Sequence, residues 1–267
     1  MARSTTPILQ FDGRLKDFIC IPLDRLVILA ARRSSALPAP NANSNTSINV
    51  CIVDGFADMQ LEDYTRAVRQ LLPDVAIAPG DIPFQKPGRN RVAKMLQRTE
   101  QWLVGMLEAR QESSAIFASI VPLQLDVQQE YLQTLKDKAL DGIALHDAAH
   151  ASQLDIYGIS NLVRILVIPN SGPRDMLRSI AHGVDLVTAD WLVDATDSGF
   201  ALVCHFQEIS NDIEHALVID LWEEMYAGDP DSILSGCSCA ACRNHTRGYI
   251  HHLLQAKEML AWVLLQM

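Results

Sequence analysis

With 267 residues, 49% of them hydrophobic and 20% charged, the chain has the make-up of a globular protein with a sizeable core, not of a disordered one. Thirty-two acidic against 22 basic side chains leave a formal charge of −10, a surface that on average repels a phosphate backbone, so nucleic-acid contact requires a local basic patch or a partner that brings one. The opening residues carry no secretory h-region, and the apolar run Leu26–Ala31 is too short to span a bilayer, so the expectation is a cytoplasmic protein without membrane insertion.

Residues 1–47 form an irregular N-terminal segment in which FICIPL and RLVILAAR read as short strands and LPAPNANSNTS (37–47) as a loop. From residue 48 the pattern becomes regular. INVCIV (48–53) is β-rich, and Leu61–Leu72 is an amphipathic helix with Glu62 and Asp63 in its first turn and Pro73 beyond its end. DVAIA (74–78) is a strand, and a long helix over 91–110 aligns Val92, Met95, Leu96, Trp102, Leu103 and Met106 on one face.

AIFASIV (115–121) precedes a helix near 126–140, and GIALH (142–146) precedes an ambiguous stretch. VRILVIP (163–169), a helix over Ser171–His182 stopped by Gly183, and VDLVTADW (184–191) complete the series. Six strands this apolar, separated by helices, predict a parallel sheet. Most of a (β/α)8 TIM-type barrel, incomplete at its N-terminus, is the expected fold, with an open doubly wound sheet as the alternative. No glycine-rich nucleotide fingerprint is present, and no internal repeat stands out.

After residue 207 the rhythm breaks into an acidic stretch, and the chain ends in a helix whose predicted buried stripe is Ile250, Leu253, Leu254, Met259, Leu260, Val263 and Leu264. Between them lies GCSCAACRNHTRGYIHH (236–252). Cys237-x-Cys239-x-x-Cys242 is a tight chelating turn, and three thiolates supply one face of the tetrahedron that zinc prefers. His245, His251 and His252 are nearby candidates for a fourth bond, and the spacing leaves the choice open. Cys20, Cys51 and Cys204 stand alone and read as small buried side chains.

The stretch CSCAACRNHTRGYIHHLLQAKEMLAWVLL resembles the C-terminal zinc region of the queuine/archaeosine tRNA-guanine transglycosylases. Members carry Cys-x-Cys-x-x-Cys, an aromatic-HH-L helix and then a His–Asn pair that supplies the last zinc ligand. The resemblance implies Cys237, Cys239 and Cys242 as ligands of one zinc ion per subunit, with the closing His at about position 268, just past Met267. VDGFADMQLEDYTRAVRQLLPDVAIAPGDIPF and NSGPRDMLRSIAHGVDLVTADW extend it. It therefore implies a transglycosylase-like barrel over 48–267 with a zinc subdomain at 207–267 inserted before the last helix.

Base exchange at a tRNA guanosine builds positive charge on the sugar, so the chemistry needs a carboxylate nucleophile and a second acid/base carboxylate. The family's GVD-x-x-D nucleophile position falls on Thr188 here, and its Asp-Ser-Gly-Gly tetrad is absent. Asp190 is a displaced candidate, two residues on and on the same face of a strand as Thr188. Asp81 falls where the family holds the purine, in altered surroundings, and reads better as a loop-capping aspartate.

These losses leave no catalytic residue to assign. They resemble the accessory, non-catalytic subunit of the eukaryotic enzyme. That implies a heterodimer with a catalytic subunit, joined through the zinc region and last helix, which together exchange guanine for queuine at the wobble position of tRNAs with GUN anticodons. A self-sufficient enzyme with a relocated nucleophile is the alternative. Arg243, His245 and Arg247 form a basic patch beside the zinc loop.

Overall fold

A computed structural model describes residues 7–32, 42–52, 54–82, 86–111, 113–168, 172–203 and 218–267. In chain order these contain α1 (Leu15–Phe18), β1 (Ile28–Leu29), β2 (Ser47–Ile52), β3 (Gly55–Gln60), α2 (Leu61–Leu71), β4 (Val75–Ile77), α3 (Arg89–Glu108) and β5 (Ala115–Ile120). Next come α4 (Gln129–Leu135), β6 (Gly142–Leu145), a 3₁₀ segment (Ala148–Tyr157), β7 (Val163–Leu166), α5 (Pro173–Ala181), β8 (Leu186–Val187) and α6 (Asp190–Asp197). β9 (Phe200–Leu202), β10 (Val218–Asp220), α7 (Ala240–Asn244), α8 (Arg247–Gln255) and α9 (Met259–Leu265) follow. The chain divides into two compact units, one built on residues up to 188 and one on 189–267.

The first unit holds a six-stranded parallel sheet in the order β1-β4-β5-β6-β7-β8. Strand order follows chain order without reversal, which a doubly wound sheet does not do. The two faces differ accordingly. Ala76, Ile116, Ala118, Ile143, Leu145 and Leu166 pack against Tyr64, Val68, Leu103, Met106 and Leu132 of the helices. Val75, Ile77, Phe117, Ala144 and Ile165, the alternate positions, form a second buried cluster made of strand residues alone. Helices on one face and self-burial on the other describe a sheet curled toward its strand-only side, as in an arc of a (β/α)8 barrel.

A recurring bracket fixes the N-terminal edge of this sheet. Asp74, Asp141 and Asp185 each stand just before a strand and reach back across it. Their carboxylates accept the backbone N–H of Val27, Ile116 and Arg164, each at 2.8 Å. Arg110 grips the Asp141 carboxylate through two bonds of 3.0 and 2.8 Å, and Lys16 lies 2.8 Å from Asp74. Only the aspartate is common to the three places, so no sequence repeat announces them.

Several expectations need correction. INVCIV is not a strand of the parallel sheet: β2 pairs antiparallel with β3 in a separate hairpin. FICIPL is not a strand, because α1 and a left-handed Cys20 occupy it. The strand within VDLVTADW is only Leu186–Val187, since a helix starts at Asp190. Cys20 and Cys51 are exposed, not buried, and Cys204 lies outside the described residues.

In the second unit, Ala201, Leu221, Ile233, Ala241, Ile250, Leu253, Leu254 and Leu264 make the core. The terminal helix expected as one piece is two, α8 and α9, because Lys257 adopts φ 55°. That break rotates the later positions off the stripe: Leu264 stays buried, but Met259 is 80% exposed and Val263 48%. Gly248, the second residue of α8, lies in close contact with the chain, its N–H donating to Asp229 O at 2.9 Å, where an added Cβ would lie 2.9 Å from that same oxygen.

Candidate functional site

The C-terminal ends of parallel strands are where barrel enzymes place their chemistry. Here that end is closed by polar contacts. Asp81, four residues past β4, is fully buried. Its carboxylate accepts from Arg91 and Asn43 at 2.7 Å and from Arg98 at 3.1 Å. It is neither a loop cap nor a free acceptor for a base: two guanidinium groups and an amide already engage both oxygens of this internal carboxylate. Arg32, just past β1, donates to Asn43 Oδ1 (3.2 Å) and to the Asn49 carbonyl (3.0 Å) in the same network.

Beside this network is a cavity of about 40 Å³, bordered by Ala30, Arg32, Gly80, Ser119, His146 and Val167 among others. Ligand pockets run to roughly 300–1,000 Å³, so this one has room for a few waters and not for a purine. His146 lines it at the end of β6; burial, aided by the nearby Arg32 charge and by His150, pushes its pKa down to about 3. A neutral imidazole is the form present at physiological pH. Burial likewise lowers Arg32, against the opposing pull of Asp81. Neither Arg32 nor His146 stood out in the sequence, although His146 directly follows β6 and Arg32 lies three residues past β1, at the strand ends that barrel topology marks.

Thr188 follows β8 directly. Its hydroxyl donates to the Ile168 carbonyl at 2.9 Å. Asp190, expected to share a strand face with Thr188, instead opens α6 as its first residue. Strand alternation therefore does not align the two side chains.

The cysteines lie in the second unit. Gly236, at φ 77°, turns the chain into Cys237, and Cys239 caps α7, its Sγ accepting the Cys242 N–H at 3.4 Å. That bond holds the Cys239 thiol below its usual range, while burial raises Cys242 to about 11. The three Sγ atoms lie within 4.8 Å of one another, an arrangement that can hold a metal ion.

No histidine joins this set among the described residues. His245 stacks on Tyr249 with ring centroids 5.2 Å apart. His251 is buried, with Nδ1 2.9 Å from Leu221 O, so that nitrogen carries the proton. His252 is exposed on the α8 surface. Of the expected basic patch, Arg247 is held by Asp229 (3.2 Å) and by the Ile233 carbonyl, while Arg243 is exposed.

The profile of the family described as Queuine tRNA-ribosyltransferase matches residues 1–267. A Schizosaccharomyces pombe protein named Queuine tRNA-ribosyltransferase accessory subunit 2 is 31% identical over 98% of this chain and 61% of its own length. Proteins of the same name from Anopheles gambiae and Homo sapiens are 27% and 26% identical, over 90% and 84% of this chain and 61% and 66% of theirs. The chain thus spans about two thirds or less of the length of these relatives. A match along the whole chain, with the sheet order and cysteine turn described above, places it plainly: the chain belongs to the queuine tRNA-ribosyltransferase family.

Proposed function

We propose that this chain is a non-catalytic subunit of queuine tRNA-ribosyltransferase, paired with a catalytic subunit that exchanges guanine for queuine at the wobble position of tRNAs with GUN anticodons. One observation carries the reading. At the position where the resemblance puts the nucleophilic carboxylate stands Thr188, a neutral hydroxyl already bonded to the Ile168 carbonyl. A glycosyl cation needs an anion to meet it, and a hydroxyl spent on a carbonyl offers none. Asp81, which the resemblance puts where the family holds the purine, is consumed by Arg91 and Arg98. The relatives' name, accessory subunit 2, supports the same assignment.

Zinc is part of this proposal, with Cys237, Cys239 and Cys242 as ligands in a subdomain spanning 207–267. Three thiols fit the ion: at a Zn–S bond of about 2.3 Å, tetrahedral sulfurs stand about 3.8 Å apart, a spacing this turn reaches with small side-chain shifts. When bound, zinc supplies a structural cross-link. This chain's residues bring the thiols together through the Gly236 turn and the Cys239 cap. The remaining strands of a closed (β/α)8 barrel, the heterodimer contact through the zinc region and last helix, and a cytoplasmic location complete the reading. No helix among the described residues is long and apolar enough to cross a membrane.

Reconstitution tests it. A catalytic subunit mixed with this chain should co-elute with it and exchange labelled guanine at least several-fold faster than either protein alone. Separate elution with no change in rate would sink the assignment.

A further inference from the structure

The first half of α3 and the residues leading into it, KPGRNRVAKMLQR (86–98), carry five basic side chains and no acidic one, in a chain whose net charge is −10. Two of the five are engaged internally, since Arg91 and Arg98 converge on the buried Asp81. The other three, Lys86, Arg89 and Lys94, are exposed, and among the described residues none of them has an ion-pair or side-chain hydrogen-bond partner. That is unusual in this unit, where Arg14, Lys16, Arg66, Arg110, Arg164 and Arg178 each sit against an aspartate.

Helix geometry adds to the imbalance. α3 is 20 residues long, yet its N-cap, Gly88, provides no side-chain acceptor and its first turn holds no acidic residue. By contrast, α2 places Glu62 and Asp63 in its first turn. The positive end of the α3 dipole and its unbonded first N–H groups thus add to three free cations. The two arginines locked on Asp81 hold this half of the helix firmly, so the free charges are presented from a fixed support. They stand at the end of the sheet where β4 delivers the chain, the end that bears the cavity.

We infer that Lys86, Arg89 and Lys94, with the uncapped N-terminus of α3, form a contact surface for the phosphate backbone of tRNA. Charge complementarity names the occupant: a run of cations without counter-ions, on an otherwise acidic protein, matches a polyanion. The contacts position the RNA and carry no sequence information. The inference rests on the proposed function for its choice of RNA.

Binding of unmodified tRNA to the chain, titrated across a series of salt concentrations, tests it. The triple variant Lys86→Gln, Arg89→Gln, Lys94→Gln should bind about tenfold or more weakly, and the slope of log affinity against log salt should shrink by about two to three. Its melting temperature should match the wild type, since no internal contact is lost; Lys94→Gln alone should reduce the slope by about one.

A control triple variant, Arg25→Gln, Lys136→Gln, Lys257→Gln, removes equal charge elsewhere and should stay within about twofold of wild type. Unchanged affinity and slope in the α3 variant, an equal loss in the control, or no tRNA binding by the wild type would overturn the inference. So would a variant that keeps tRNA but loses the catalytic subunit, which would make the surface a protein interface. Guanine exchange by the reconstituted complex is read separately: if wild type stimulates exchange while the α3 variant binds tRNA normally, this surface is wrong and the proposed function stands.

Discussion

Thr188 donates its hydroxyl to the Ile168 carbonyl, two residues past the end of β7 and 2.9 Å away. The bond ties the residue after β8 to the segment after β7 at the end of the sheet where barrel enzymes act. Thr188→Asp should therefore create no activity: the new carboxylate would face a carbonyl oxygen, and the second carboxylate of the family's motif would still be missing. Labelled-guanine exchange by this variant alone should stay at background, and denaturant unfolding should show a loss of about 1–3 kcal/mol from the lost bond and the new repulsion. Exchange above background in the isolated variant would show that the barrel end remains competent.

Asp81→Asn should be costly. The substitution leaves Arg91 and Arg98 facing a neutral amide, in a network that Asn43 and Arg32 also join. Breaking one partner of a buried ion pair costs about 3–5 kcal/mol. A urea midpoint unchanged from wild type would mean that the network contributes nothing net. Because Arg91 and Arg98 anchor α3, the variant should also loosen amide-exchange protection in its first turns.

Metal removal should act on the second unit. Cys239→Ser and Cys242→Ser should each abolish stoichiometric zinc, read by elemental analysis, and a strong chelator should do the same to the wild type. Loss of a structural zinc removes several kcal/mol from a small unit. Here it should expose the packing of Cys239 and Cys242 against Ile250 and Ala241, seen as protease cleavage within 231–247. Full zinc in either serine variant would contradict the ligand assignment.

Acid should destabilise the first unit through His146. Its pKa falls from an ordinary 6.5 when unfolded to about 3 when folded. Between those values the unfolded chain binds a proton that the native ring refuses, so stability rises with pH across this window and is lost on acidification below about 6.5. The slope should reach at most about 1.4 kcal/mol per pH unit. His146→Gln should flatten it in urea titrations at pH 5, 6 and 7; an unchanged slope would assign the acid sensitivity elsewhere.

Much of the first unit was legible in the sequence because parallel strands, buried on both faces, read as apolar runs. AIFASI, GIAL and VRIL fall where the pattern puts them. β1 and β8 were harder, since two residues carry little periodicity, and β2 escaped because an apolar run does not declare its partner's direction. The break at Lys257 was invisible, as a left-handed lysine leaves no compositional mark. At the candidate sites, close spacing made the clustering of Cys237, Cys239 and Cys242 legible. The Asp81 network was hidden because Arg32, Asn43, Arg91 and Arg98 come from three separate stretches, and only folding joins them in one network around a carboxylate.

On the proposed function, this chain supports the exchange reaction without forming its covalent intermediate. Incubating the isolated chain with substrate tRNA, then separating the products on a denaturing gel, asks that question at its root. No tRNA-linked protein band is expected, while the catalytic subunit treated identically should give one. A tRNA-linked band from this chain alone, lost in Asp190→Asn or in Thr188→Ala, would make it a catalyst and overturn its assignment as a supporting subunit.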